Sequence, residues 1–578
     1  MPLLAVSLMV TPSFGQTSIT INANQQRTIG GVQSLDRAKY FTYTETIVPP
    51  DGTNIGDLRA ELYSPTGLNL STGRISTEFD QLIANGLPED VNRPGFIDPQ
   101  QLRSRLQSSY RDFVADNVRW EPIRNSTTPP LIVSSGRSLG DFWPDYFRTT
   151  NGVTSPFFPN PDAYAEFLNI YLEEVVTGPN AFLPVAADRF HIELLNEPDN
   201  HFSNDFTRQD LHEYHTKVAG LVKAVHPNVS IGGPSLARTN FYDNNYARWN
   251  QTLKPFIDNA GDDIDFYSIH PYERYEVADN GSFDRVVFDS PGSVNGAIDL
   301  IQNQHTNTHG GSKPIAFTEY GSFNVPIDGS DPPDFGNYPR DLQQWDLARD
   351  IREKLFVFLN RPDVVLNATP FVAPSSFRNN APTDPRNDNV LFERLTNDPD
   401  VWSETIVAQL FRSYAPVTGQ YIGIDADNPN IQTAAFRDGN QVYLLLNNLL
   451  ESDQQLSLDL LAGQFGTITN VTVDRIFRTP GGVNTFVDDN DITNSFENLV
   501  LNAEEGAVLT FTLSGDDGIT SELFEETFFG DKVVTELNEP IGRSPVVNID
   551  ADLTDAVSAM LRVNYSRPGE EPEEFELF

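Results

Sequence analysis

At 578 residues the chain exceeds one compact domain, and 39% hydrophobic with 11% aromatic residues is ample for buried cores. Its 81 Asp and Glu against 39 Lys and Arg give a formal charge of -42, a field that repels nucleic acid and anionic membrane surfaces. It has no cysteine, which excludes disulfides, thiolate metal sites and thiol nucleophiles.

In chain order, the first segment (1–16, MPLLAVSLMVTPSFGQ) sets an apolar run before small and turn residues. That resembles the core and cleavage region of a secretory signal, without its basic start, and predicts a secreted or outer-surface/periplasmic bacterial protein. Nothing later approaches 18 uncharged apolar residues, so no membrane span is expected. Residues 18–29 read as a strand able to join a later sandwich. Short apolar runs then alternate with helical patterns. Strands are predicted at 41–44, 68–75, 131–134, 190–194, 229–232, 264–269, 314–318 and 365–372, with helices at 162–176, 206–225, 246–259, 294–304 and 340–360. In the last helix Leu342, Trp345, Ala348, Ile351, Leu355 and Phe358 make one apolar stripe, which is core packing. Eight strands with intervening helices predict a (β/α)8 TIM barrel over 17–413. Beyond it, short alternating segments between Asp, Asn and Gly turns predict two antiparallel β-sandwich modules, 414–514 and 515–578.

Two strands run straight into a carboxylate. The first is FHIELLNEPDN at 190–200, in which Asn196-Glu197-Pro198 follows the fourth predicted strand; Pro198 removes a ladder donor and restrains the backbone before it. The second is KPIAFTEYGSF at 313–323, where Glu319 ends the seventh. Strand ends at the C-terminal face of a barrel build its active site, and glycoside hydrolysis needs two carboxyl groups facing each other across the scissile bond. An isolated Asn-Glu-Pro is common by chance; two such strand ends on one barrel are far more specific.

The chain here resembles clan A glycoside hydrolases, and within them glycoside hydrolase family 86, the β-agarases and β-porphyranases. The likeness rests on LLNEPDN and FTEYGS together with GGVQSLDRAKYF (30–41), SGRSLGDFWP (135–144) and SIHPYE (268–273). The resemblance implies a secreted, endo-acting, retaining enzyme on the β-1,4-galactosidic bonds of red-algal galactan, with Glu197 as general acid/base and Glu319 as nucleophile. Asn196 would donate to the hydroxyl beside the reacting carbon, and His270 or Tyr272 would donate to Glu319. Trp143 and Trp120 are candidates for stacking on sugar rings and Arg137 for binding hydroxyls.

No cofactor is required for that chemistry, and no protein partner is evident. The eight His show no zinc-like spacing, so no metal site is expected. Calcium at Asp-rich 51–57 or 488–491 is conceivable, but neither matches EF-hand spacing and both read as solvated turns. A catalytically dead barrel that only binds polysaccharide would not need both Glu residues with Asn196. Other clan A hydrolases of β-glycans, and porphyranase on sulfated porphyran, stay open. The acidic charge favours neutral agarose over a polyanion.

Overall fold

The computed structural model describes residues 16–45, 58–75, 79, 82, 86–116, 131–134, 160–183, 189–200, 202, 207–237, 239–277, 283–286, 290–326, 340–375, 389–394, 402–461, 467–515, 518–535, 546–554 and 556–564. Two compact units divide the chain. One comprises 1–28, 33–35 and 417–524, the other 29–32, 36–416 and 525–578.

The longest strand of the first unit, β1 (Thr17–Ile29), buries Thr17, Ile19, Ile21 and Ala23, the period of two that a half-buried strand requires. The larger unit is α/β. Its strands are β2 (Thr42–Glu45), β3 (Ser71–Ile75), β4 (Leu131–Ser134), β5 (Phe190–Glu193), β6 (Ser230–Leu236), β7 (Phe266–Ile269), β8 (Tyr272–Val277), β9 (Phe283–Val286), β10 (Ile315–Pro326) and β11 (Val365–Pro370). Eight of them, β2 to β7 with β10 and β11, pair in parallel and in chain order. The last returns to the first. Thr44 N donates to Val372 O at 3.0 Å, while the Thr42 and Thr44 hydroxyls donate to the Ala368 and Pro370 carbonyls at 2.8 Å each. Both faces of such strands are covered, which is why β5 and β7 are buried at every position.

Helices follow where the periodicity places them, and side chains cap several of their starts. Asn160 accepts from Asp162 N ahead of Pro161–Leu172, and Thr207 with Asp210 forms a capping box ahead of Arg208–Lys223. The helix Arg340–Leu359 departs from a simple amphipathic stripe. Trp345, Ile351, Leu355 and Phe358 are buried, but so are Asp350, Arg352 and Lys354. Lys354 pairs with Asp350, and the Arg352 guanidinium lies 5.5 Å from the Trp345 ring, so burial of the charged face is compensated. No helix among the described residues is long and apolar enough to cross a membrane. A small sheet of β12 (Ala373–Ser375), β13 (Val390–Arg394) and β14 (Trp402–Glu404) completes this unit's strands.

The other unit is of β-sandwich type. It combines β1 with β15 (Gln420–Ala426), β16 (Ile431–Asp438), β17 (Gln441–Asn448), β18 (Gln454–Leu460), β19 (Ile468–Arg478), β20 (Asn484–Asp491), β21 (Val500–Leu501), β22 (Gly506–Leu513) and β23 (Ser521–Glu525). β1 pairs antiparallel with β15 and parallel with β18, and its Ile19, Ile21 and Ala23 join Leu444, Leu458, Val471, Leu509 and Phe511 in one apolar core.

The second sandwich expected over 515–578 is not found among the described residues. β23 instead adds to β1, and among the described residues beyond it one bridge, Gly530 to Ile549, is formed. The apolar residues that alternate at 546–549 meet no second layer among the described residues: Val546, Val547 and Ile549 stay exposed. The acidic run 488–491 lies at the end of β20 as exposed strand, not in a turn. Residues 51–57, 1–15, and 117–130 and 135–150 around Trp120, Arg137 and Trp143 lie outside the described residues.

Candidate active site

Counted from β2, β5 is the fourth parallel strand and β10 the seventh. β5 stops at Glu193, and Asn196 and Glu197 follow it. Glu197 takes φ +47°, not the extended value that the following proline favours. Its surroundings impose that backbone: Glu197 N donates to Ser235 O at 3.0 Å and Asn200 N donates to Glu197 O at 3.2 Å. A left-handed non-glycine residue costs on the order of 1–3 kcal/mol and persists only where neighbours over-determine it, a pattern that clusters at functional sites.

Glu319 does not end its strand, because β10 continues to Pro326. It sits where the ladder changes partner. Ile315 and Ala316 pair with β7, whereas Gly321 to Pro326 pair with β8, which begins after the break at His270-Pro271. At that gap the Glu319 side chain leaves the wall and meets Glu197 across His270.

The two carboxylates and the imidazole lie together, with one oxygen of each Glu and one ring nitrogen all within 4.8 Å of one another. His270 is fully buried, and the Glu197 side chain is 24% exposed. His270 Nδ1 is 3.0 Å from Glu197 Oε1 and 3.6 Å from Glu319 Oε2. Of the two residues expected to donate to Glu319, Tyr272 does so, its hydroxyl 2.7 Å from Oε2, while His270 faces Glu197 more closely. His270 Nε2 lies 3.0 Å from both Ser235 Oγ and Thr318 Oγ1.

Below this layer is Arg74, at the end of β3 and fully buried. It donates to Glu319 Oε1, to Glu193 Oε2 and, at 2.7 Å, to Asn196 Oδ1. Since Arg only donates, this contact fixes the Asn196 amide with its oxygen inward and its NH2 as the end that can reach a substrate hydroxyl. Arg74, Glu193, Thr318 and Ser235 were missed in the sequence. The signal was there for two of them, a lone Arg in STGRI and a lone Glu in FHIELL, since a charge inside an apolar strand must be paired when buried.

Burial opposes every charge here, and neighbours decide the outcome. Burial pushes the Glu193 carboxyl up, but Arg74 and then His270 bring it below its ordinary value. Glu197 is likewise raised by burial and brought low by the His270 hydrogen bond and charge. Burial pulls His270 down, and Glu319 and Glu197 more than restore it, leaving it raised. Tyr272 is pushed well up, by burial first and the Glu319 charge second, so it stays a hydroxyl donor. Asp199, raised by burial, accepts from Ala237 N at 2.9 Å and pairs with Arg248 beside Glu197.

Among the described residues, Glu197, His270 and Glu319 are the one group placed closely enough to hold a metal ion. Both Glu319 oxygens already accept protein hydrogen bonds, from Arg74 and Tyr272, and Glu197 Oε1 faces His270. The donors fit carboxylates, not a cation. Two facing carboxyl groups, one clamped by Arg and Tyr and the other on an imidazole, can displace a leaving group and deliver a proton without any cofactor.

Parallel strands carrying such a pair define a glycoside hydrolase. Residues 430–535 match the family model described as porphyranase beta-sandwich domain 1. The chain is 25% identical over 548 residues to a funoran endo-beta-hydrolase of Wenyingzhuangia aestuarii, an alignment spanning 91% of this chain and 70% of that one. With a beta-agarase of Pseudoalteromonas atlantica it shares 23% over 480 residues, 78% of this chain and 89% of the other. The crystal structure of BuGH86 in complex with neoagarooctaose superposes with a TM-score of 0.72 at 22% identity, covering 89% of this chain and 81% of that one. These comparisons agree with the resemblance to glycoside hydrolase family 86.

Proposed function

We propose that this chain is an endo-acting, retaining hydrolase of the β-1,4-galactosidic bonds of red-algal galactan, with Glu319 as nucleophile and Glu197 as acid/base. One observation carries the reading: carboxylate oxygens of Glu197 and Glu319 lie within 4.8 Å of each other. That suits the retaining separation of about 5–5.5 Å better than the roughly 6.5–9.5 Å with which an inverting site admits its water. Arg74 and Tyr272 aim Glu319 at the anomeric carbon. As its C–O bond forms, the bond to the leaving oxygen breaks, and that oxygen takes a proton from Glu197. Water then attacks the glycosyl ester, gives its proton to Glu197, and Glu319 leaves as carboxylate. Without substrate Glu197 is held ionised by His270, so the acid proton belongs to the pair and passes from Nδ1 to Glu197 over their 3.0 Å contact.

The eight parallel strands, with hydrogen bonds from β2 back to residues 368–372, support a closed (β/α)8 barrel. Relatives named for funoran and agarose support a galactan substrate. Between agarose and porphyran the charge of -42 favours the neutral polymer. An intact polysaccharide is too large to enter a cell, so export is part of the proposal. Glu197→Gln and Glu319→Gln are each expected to fold and to lose activity on agarose by several orders of magnitude, with wild type slower on porphyran and funoran. Activity within about tenfold of wild type in either variant would overturn the roles. Faster cleavage of porphyran at low and high salt alike would overturn the choice of agarose.

A further inference from the structure

Glu193 is the one fully buried carboxylate of the cluster that the reaction above does not use. Each of its oxygens faces a different arm. Oε2 accepts from Arg74 Nη2, and Arg74 Nη1 holds Glu319. Oε1 accepts from Thr318 Oγ1 at 2.7 Å, and Thr318 Oγ1 is 3.0 Å from His270 Nε2, whose other nitrogen faces Glu197.

We propose that Glu193 is a positioning residue that acts on both catalytic carboxyls at once, holding Glu319 through Arg74 and setting the proton position of the Glu197–His270 pair through Thr318. This rests on the functional reading above. A threonine hydroxyl has one hydrogen, and an ionised carboxylate only accepts, so that hydrogen points to Glu193. The Thr318 oxygen can then only accept from His270, which fixes a hydrogen on Nε2; Ser235 Oγ shares the same side of the ring. Nδ1 is left as the nitrogen that exchanges its proton with Glu197. In the other arm, Arg74 faces two anions while Glu319 is ionised. Once Glu319 is a neutral glycosyl ester, Glu193 is the anion that still compensates this buried guanidinium. Among the described residues, the charged and titratable groups that act on Glu193 are Arg74 from β3, His270 beyond β7, Glu197 beyond β5 and, farther off, His215 from the helix Arg208–Lys223, with Glu319 from β10 on the other side of Arg74.

Glu193→Gln keeps the size and removes the charge. In steady-state kinetics on agarose its kcat is expected to fall about 100-fold with KM within about threefold, because the lost contacts act in the transition state. The basic limb of kcat/KM is expected to move down by about one pH unit, since a neighbouring anion no longer holds the proton on the pair. Glu193→Asp, which keeps the charge, should leave that limb in place even if kcat falls. Thr318→Val cuts one arm only, and should move the basic limb while binding substrate normally. It also carries the test should Glu193→Gln not fold. A Glu193→Gln enzyme within threefold of wild type overturns the inference. So does equal loss in Gln and Asp variants with unmoved limbs, which marks a merely structural residue, or a Thr318→Val profile that matches wild type. Glu319→Gln assayed alongside separates the two levels: if it is inert the functional reading stands whatever Glu193 does, and if it is active that reading itself falls.

Discussion

At the scale of single residues, the site is a set of buried charges whose ionisation depends on one another. His270 has its proton affinity raised above the ordinary 6.5, by Glu319 and Glu197 against the pull of burial. Its contribution to stability is therefore complete below pH 6.5 and is lost as pH rises through the higher folded value. Glu197 is lowered from 4.5, so its contribution is present above pH 4.5 and is lost as pH falls through the folded value. The pair therefore stabilises the fold most between pH 4.5 and 6.5. The excess stability of wild type over His270→Gln, from denaturant melts across pH, is expected to peak in that window and shrink above it. A difference that stays flat or grows toward pH 9 would contradict the assignment. Sequence alone brought Asn196, Glu197, His270, Tyr272 and Glu319 together because each follows an apolar run and lies close to a turn-forming Pro or Gly, although Glu319 turned out to sit inside its strand. Arg74 and Glu193 each stood out only as a lone charge in a strand, and their pairing between β3 and β5 leaves no local spacing that would name the partner. Trp120, Trp143 and Arg137 remain candidates from their sequence alone.

At the scale of elements, the predicted strands fall within a few residues of those formed, because buried parallel strands read as unbroken apolar runs. What could not be read was continuation. β10 runs on past Glu319 through SFNVP to pair with β8, and a polar-aromatic stretch of that kind carries no mark of its partner. Gly73 shows how tightly the strands around the site are set. A Cβ there would lie 2.2 Å from Thr369 Oγ1 and 2.7 Å from Thr42 Oγ1, between β11 and β2 and next to Arg74. Gly73→Ala is expected to destabilise by about 1–3 kcal/mol, as overpacking does. By shifting Arg74 it should also lower kcat about tenfold or more. Thermal melts with kinetics on the same sample check both, and a wild-type kcat would show that Arg74 tolerates the shift.

At the scale of the whole molecule, the texture change near residue 414 announced a β-rich unit, and one forms, taking in β1 from the other end of the chain. A long-range pairing of this kind shows in sequence only as a strand with no local partner. A second sandwich is not seen among the described residues for the complementary reason: alternation marks a strand but does not supply a layer for it to cover. Ending the chain after Gly515 would remove β23 and two contacts of the sandwich-type unit. These are Arg437 Nη1 on Gly518 O at 3.2 Å and Thr520 N on Asn24 O at 2.9 Å. No carboxylate of the site is lost. The truncated enzyme is expected to keep wild-type kcat on agarose with a lower Tm, by about 2–4 °C for each kcal/mol lost. A soluble, folded truncation without turnover would place an essential residue beyond 515. The central claim, that Glu319 and Glu197 work as nucleophile and acid/base across a short gap, is most directly tested by the stereochemistry of the first product. Proton NMR of a fresh digest, recorded before mutarotation, should show the new reducing end in the β configuration of the bond that was cut. An α anomer forming first would mean single displacement by water, and would contradict the account.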